Sequence, residues 1–439
     1  MMTVPALAFR SLVSRKRQYF PLFLVCAVCS GLSFFVFFLS NGMTEAFRDK
    51  ARIYYGGDLQ FIGGVQGLAV PDAENTMDTL RSAVAPDVTV TARLEFDGRT
   101  YSLFYEGSEV VLRVIKGVDF QRERSLFSRF TYVPPEGSGE GFLPPFPELA
   151  GTNVILISNQ LAGKLGVRQN DVVTFFCRTV QGYLNSVNLR VGGIFLDSSV
   201  LGLYTAYCDI EFLRRTMGVP ENLAHRISFI FPSPPPQQEI RRLQDSFSEF
   251  FPMYPLVSDK ELFYHDLIFQ PKFGGEPVYA LITLDANQED LQELTGAMHL
   301  IFSIIVVMLS GIIIAGIGST YRVLILKRVN EIGIFMSIGM RNGRIALVLF
   351  LETMLLLVSG CLAGFAFSGL LCLMSGALDL SSIPGVDIFL RQGVLAPVPD
   401  FAPAAVFCLV IFVTTGLAVL FTIRRTVSIS PAEVIRATE

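Results

Sequence analysis

The sequence predicts an α-helical membrane protein with four transmembrane helices and a large α+β extracytoplasmic domain between helices one and two. Three observations predict it. Hydrophobic residues make up 51% of the 439-residue chain and charged residues only 17%, whereas a soluble domain carries about 25% charged residues. Four nearly uncharged runs reach the ~20 residues that a helix needs to cross a bilayer. A polar stretch long enough for a folded domain separates the first run from the second.

The runs are Tyr19–Leu39, Met298–Tyr321, Ile345–Leu378 and Phe401–Ile423. In lipid each must be helical, because no water can satisfy its backbone. With their flanks they give a first span over 19–42, a stalk and second span over 285–321, a third over 345–378 and a fourth over 401–423. The first run exceeds the ~7–15 residues of a signal-peptide core, and no A-x-A site follows it, so it reads as an uncleaved span.

The bases orient the chain. Of the 13 Lys and Arg outside residues 43–296, 12 fall in 1–18, 322–344 or 424–439. The positive-inside rule puts those segments in the cytoplasm: an amphipathic helix over 1–18, a loop over 322–344 and a tail over 424–439. Residues 43–296 and the 379–400 loop then lie outside. The outer domain holds 32 acids and 22 bases, so the net charge of −4 is an outside property, and its simplest reading is solubility. Nucleic acid is not expected as a partner.

The outer domain reads as two β-α-β halves, 43–98 and 224–284, around a β-rich insertion, 99–223. In the first half Gly56–Ile62 is a turn and strand, Pro71–Ala85 a helix and Val88–Leu94 a strand. In the second, Arg226–Phe231 is a strand, Gln237–Phe251 a helix and Met253–Val257 a strand. The insertion offers strands at Thr100–Phe104, Val110–Lys116, Val154–Ile157, Asp171–Cys177 and Asn188–Phe195, and a Pro/Gly-rich loop at Val133–Pro147.

Motifs for chemistry are missing. His225, His265 and His299 match no metal spacing, and no metal or cofactor is expected on this chain. The sequence contains no Walker A, G-x-S-x-G or H-E-x-x-H motif, so it reads as no enzyme by itself. Five of seven cysteines lie in the apolar runs; only Cys177 and Cys208 lie in the polar region, where a bridge between them is open. Glu352 is the one acid inside a run, and an intramembrane acid invites a functional reading. It starts only seven residues into its span, near enough to the cytoplasmic side to pair with Arg341 or Arg344.

Two segments, RVLILKRVNEIGIFMSIGMRNGRI from Arg322 and FLETMLLLVSGCLAGFAF from Phe350, resemble the FtsX-like permease family of ABC transporters. Arg328, Glu331, Ile332, Gly333, Ile334, Ile338, Gly339, Arg341, Ile345 and Glu352 fit the family pattern, while Met336 stands where many relatives carry Arg. The tail ISPAEVIRA (429–437) and the opening LAFRSLVSRKRQYF also fit. In the outer domain, NGMTEAFRDKARIYYGGDLQFIG, LISNQLAGKLGVRQNDVVTF and RTVQGYLNSVNLRVGGIF resemble the lipoprotein-releasing (Lol-type, LolC/LolE-like) permeases.

The resemblance implies a permease subunit of the bacterial inner membrane that relays ATPase motion to a periplasmic domain and releases lipoproteins to a periplasmic carrier. ATP and Mg would be bound by a separate cytoplasmic ABC ATPase dimer. A second permease, the same chain or a sister, and membrane lipid complete the partners. Alternatives are a MacB-like export permease for peptides or drugs, or an FtsX-like regulator of a cell-wall hydrolase that transports nothing. Lys327, Arg328, Glu331, Ile332, Gly333, Ile338, Gly339 and Arg341 would couple to the ATPase. Gly311, Ala315 and Ser319, and Gly360, Gly364 and Ser368, form small-residue series that let helices pack closely, within one subunit or across two. Phe34, Phe35, Phe38, Ile301, Ile304, Ile305 and Met308 would line an apolar substrate cavity.

Overall fold

In the computed structural model the described residues are 10–427 without 13, 15, 65–68, 136–140, 198, 204, 270–276, 288, 328–332, 335, 336, 339, 379, 381, 382, 384, 385 and 392. In chain order the main elements are α1 (Lys16–Tyr55), β1 (Leu59–Gly64), α2 (Ala73–Ala83), β2 (Thr89–Tyr105), β3 (Ser108–Val118), β4 (Val154–Ser158), α3 (Asn159–Leu165), β5 (Val172–Arg178), β6 (Leu184–Phe195), β7 (Thr205–Asp209), α4 (Ile210–Met217), β8 (Arg226–Ile230), α5 (Gln237–Ser248), α6 (Lys260–Phe269), β9 (Val278–Thr283), α7 (Glu289–Lys327), α8 (Asn342–Gly376) and α9 (Phe401–Val427). They divide into a helical unit (1–44, 295–378, 395–439) and a β unit (45–294, 379–394).

Among the described residues, four helices are long and apolar enough to cross a membrane: α1, the part of α7 over Thr295–Ser319, α8 over Gly343–Gly376 and α9 over Phe401–Phe421. Their shared core includes Leu22, Cys26, Phe34, Phe38, Ile313, Ile317, Leu356, Leu357, Phe407 and Ile411. Phe34 meets Phe407 and Phe365 edge-on, with ring centroids 5.5 and 5.9 Å apart, the arrangement that aligns ring edge with ring face.

The small-residue series of the third span brings α8 against α1. A Cβ placed on Gly364 would lie 2.7 Å from the Ala27 carbonyl oxygen and 2.8 Å from the Gly31 nitrogen. One on Gly360 would lie 2.7 Å from the Cys26 Cβ, and one on Gly31 2.8 Å from the Gly364 oxygen. Ser368, further along, is fully buried. Only glycine permits backbones this close, so this series packs within one chain. The series of the second span does not: Gly311 has open space around it, and Ala315 and Ser319 are exposed.

The β unit is a nine-stranded sheet in the order β3-β7-β4-β6-β5-β2-β8-β1-β9, with an added pairing of β3 to β2. That pairing closes six strands, β3-β7-β4-β6-β5-β2, into a barrel. The remaining part, β2-β8-β1-β9, is antiparallel throughout. It is two interleaved β-α-β units, β1-α2-β2 and β8-α5-β9, each holding a strand of the other between its own two. Met77 and Leu80 of α2 and Leu243 and Phe247 of α5 join Phe61 and Phe229 of the sheet in one core.

The structure corrects the sequence expectation at three points. Val88–Leu94 and Thr100–Phe104 are one strand, β2, which bends at a register shift between Asp97 and Tyr101 and passes from sheet into barrel. The boundary drawn at residue 98 thus falls inside a strand. Met253–Val257 is no strand: Met253 makes a single bridge to Tyr279, and Pro252 and Pro255 have no N–H to continue a ladder. Its place is taken by β9. Cys177 and Cys208 are free thiols. Strands β4 and β6 separate β5 from β7, which at ~4.8 Å per strand spacing puts the two cysteines far beyond bridging reach.

Glycine contacts in the helical unit predict an asymmetry. Gly364→Val forces α1 and α8 apart and costs at least the ~1–3 kcal/mol typical of overpacking; Gly311→Val, in open space, leaves the isolated chain unaffected. Thermal unfolding of the purified variants in detergent checks both.

Candidate functional site: a charged joint at the end of helix α1

A helix leaves its last four carbonyls without intrahelical partners, and a buried end must satisfy them. Helix α1 ends buried: Arg52, Ile53 and Tyr54 are almost fully enclosed. The turn after it is made by two glycines with φ of 92° and 118°, Gly56 and Gly57, values that residues with a Cβ rarely adopt. Their amides both return to the Arg52 carbonyl, at 2.9 and 2.7 Å. Space also demands glycine here, because a Cβ on Gly56 would lie 2.7 Å from the Arg93 Nη1.

The remaining carbonyls are met by side chains from the sheet. Arg93 on β2 donates from Nη1 to the Ile53 and Tyr54 oxygens at 3.3 and 3.4 Å. Lys116 on β3 donates to Tyr54 O at 2.6 Å, and Gln60 on β1 donates to Tyr55 O. Two of these three caps are cations, placed at the negative end of the helix dipole.

Each cation is itself held by an acid. Glu123, fully buried, takes the Arg93 guanidinium through Nε at 3.0 and 3.1 Å and through Nη2. Glu95 accepts from Lys116 at 2.9 Å and pairs with Arg226. Asp58, just after the glycines, accepts from Arg52 at 2.7 Å and from the Phe231 amide at 3.0 Å. Burial alone would raise the Glu95 carboxyl, but Arg226 and Lys116 hold it down at about 2. Burial pushes the Lys116 ammonium down to about 8 against the pull of Glu95. The arrangement has no nucleophile–base pair and binds a helix end rather than a substrate. No group of three or more His, Cys, Asp or Glu that could hold a metal occurs among the described residues.

The sequence reads Gly56–Ile62 as a turn and strand but does not reveal this joint. The signal was present: two adjacent glycines followed by Asp at the end of a long helix. Its partners, Arg93, Lys116 and Glu123, are scattered over later strands and loops and are joined only by the fold.

The residues expected for ATPase coupling are partly placed. Arg328, Glu331, Ile332 and Gly339 lie outside the described residues. Lys327 ends α7, Gly333 sits in a short helical piece, Ile338 in an exposed turn, and Arg341 caps the start of α8. Glu352 is fully buried in α8 and accepts a hydrogen bond from the Ser11 hydroxyl at 3.0 Å. The cavity candidates are not brought together. Phe34 and Phe38 lie inside the helical core and Phe35 is half-buried, while Ile301, Ile304, Ile305 and Met308 are exposed along α7.

Residues 301–431 match the family model described as FtsX-like permease C-terminal. Among solved structures, the periplasmic region of MacB from Actinobacillus actinomycetemcomitans is similar at 10% identity, covering 54% of this chain and 92% of that chain with a TM-score of 0.31. No curated protein matches the sequence.

The joint makes two predictions. Arg93→Met leaves Glu123 buried without its cation, a loss of about 3–5 kcal/mol that chemical denaturation of the full chain reads directly. Glu95, held below its ordinary value of 4.5, adds stability above that pH and loses it as the pH falls toward about 2. The gap in unfolding midpoint between wild type and Glu95→Gln is therefore full at pH 7 and closes steadily below about pH 4.5.

Proposed function

We propose that this chain, a permease of the FtsX-like family, is the membrane subunit of an ABC transporter that carries ATPase motion to its β unit and releases lipoproteins from the bacterial inner membrane. The observation that carries the reading is the family match over 301–431, which takes in the segment where the coupling residues lie. A separate cytoplasmic ATPase pair would supply ATP hydrolysis, binding ATP and Mg itself. Lys327, Arg328, Glu331 and Arg341 would meet the ATPase, and Gly333 and Gly339 would allow close approach.

The segregation of bases supports an orientation with both termini and residues 322–344 in the cytoplasm and the β unit in the periplasm. The joint at the end of α1 supports a mechanical role. With its carbonyls, glycine turn and neighbouring cations all engaged, a displacement of α1 would move strands β1, β2 and β3 with it. Lipoprotein release, with a carrier to accept the cargo, is the finer part of the reading, supported by the likeness of the outer-domain segments to Lol-type permeases. The exposed apolar side chains of α7 suit lipid or acyl chains. Each buried CH₂ is worth ~0.8 kcal/mol, so extracting acyl chains needs an external source of energy.

Purification of the tagged chain from native membranes, followed by mass spectrometry of what co-elutes, tests this. An ATPase together with acylated lipoproteins is the expected result. An ATPase with a duct or adaptor protein and no lipoproteins would replace release by export. With Glu331→Lys the ATPase is expected to be depleted at least several-fold while the chain stays in the membrane; undiminished recovery would remove Glu331 from the coupling surface.

A further inference from the structure

The helical unit holds an apolar groove that the transport reading leaves unused. It lies where the start of α1 meets α8. Lys16, Tyr19, Phe20 and Phe23 line one side and Leu356 and Ser359 the other, around about 260 Å³. Tyr19 and Leu356 are buried, while Phe20 is 60% exposed. The Ser359 hydroxyl donates to the Leu356 carbonyl of its own helix at 2.8 Å, so it asks nothing of an occupant. From Lys16 to Phe23 the groove follows α1 for ~10 Å, at 1.5 Å per residue.

Charge collects at one end of this groove. Arg10, Arg15, Lys16 and Arg17 precede the apolar part of α1, and the chain carries no acid before Glu45. Arg10, Lys16 and Arg17 are exposed. The one acid of α8, Glu352, is fully buried and accepts from the Ser11 hydroxyl at 3.0 Å. Pro21, exposed within α1, has no N–H to return to the Arg17 carbonyl. That oxygen therefore lacks its usual helical donor, in the same turn as Lys16 and Arg17.

Apolar walls offer water nothing to bond, and an empty groove forfeits the contacts its lining could make. Hydrocarbon fills it without either cost. A phospholipid brings a chain for the walls and a phosphate for the bases in one molecule. We propose that this groove binds one anionic phospholipid, its acyl chain along Phe20, Phe23 and Leu356 and its phosphate at Lys16. The Lys16 stem can lie on apolar surface while its ammonium meets the phosphate.

The charge of the headgroup follows from the bases. A zwitterionic lipid fits the walls equally well, but its own cation opposes Lys16 and Arg17, whereas a net negative headgroup is attracted by each base near it. A headgroup hydroxyl, as in phosphatidylglycerol, also suits the Arg17 carbonyl. The assignment does not depend on which side of the membrane the start of α1 faces, so it stands apart from the proposed transport role.

The test uses the full chain in lipid nanodiscs that contain phosphatidylglycerol with a photoreactive diazirine in its acyl chain. Phosphatidylcholine with the same chain serves as the zwitterionic comparison. After illumination and digestion, mass spectrometry locates the lipid adducts. Leu409 and Val413, exposed on α9, sample the surrounding lipid. Phosphatidylglycerol adducts are expected to be enriched at Phe20, Phe23 and Leu356 over that face, and phosphatidylcholine adducts are not. Lys16→Gln, a change at an exposed side chain, should lower the enrichment about fivefold, the effect of one base beside an anionic headgroup. Ser359→Trp should fill the groove and remove adducts from Phe23. Equal labelling of the groove and the α9 face would overturn the proposal, leaving ordinary surrounding lipid there. So would equal enrichment of both headgroups, or enrichment that survives Lys16→Gln. A groove labelled by neither lipid would assign it to a protein partner instead.

Discussion

The β unit depends on how one helix end is buried. The last carbonyls of α1 are taken out of water and given to Arg93, Lys116 and Gln60, which come from three different strands. Each donor is needed because a buried carbonyl left empty costs more than its hydrogen bond is worth. The donors bring charge, and Glu123 and Glu95 are there to balance it. Asp58 and Arg52 close the same account at the glycine turn. Remove the helix end and the cations lose a set of acceptors; remove the acids and the cations cannot be buried. The glycine pair, the strand positions of the two bases and the helix terminus are therefore one structural decision.

Much of the architecture was legible from sequence because it follows from simple physics. Runs without charge mark the four long apolar helices, since lipid tolerates nothing else for ~20 residues. The amphipathic spacing of α2 and α5 gave both helices of the interleaved units nearly to their ends. What was missed has equally physical causes. The strand Thr205–Asp209 is short, and all five residues are buried, so it shows no alternation to read. The strand β2 was divided because its middle, Asp97 to Thr100, is polar and exposed where it bends. The barrel could not be inferred, since closure depends on β3 meeting β2 and β7, a matter of topology rather than composition.

The site was less legible than the fold. Expected coupling residues cluster in sequence, so a motif could propose them. The joint unites residues from Arg52 to Arg226, and each member taken alone is an ordinary Arg, Lys, Asp or Glu. The two small-residue series look alike in sequence, yet Gly360 and Gly364 meet α1 while Gly311 meets nothing within 4 Å among the described residues.

The interleaving of the two β-α-β units has a consequence for how the chain is made. Strand β1 is finished by Gly64, but its two neighbours are β8, beginning at Arg226, and β9, ending at Thr283. From the moment it is synthesised, Leu59–Gly64 must wait for more than 150 residues to appear before either side can be paired. Contacts so distant in sequence fold slowly, and an unpaired apolar strand is an opportunity for wrong partners during that wait. The barrel can assemble earlier, because all of its strands are present by Asp209. Biogenesis of the β unit thus has a built-in order, with barrel first and sheet last, and its vulnerable interval is set by the length of the segment between β1 and β8.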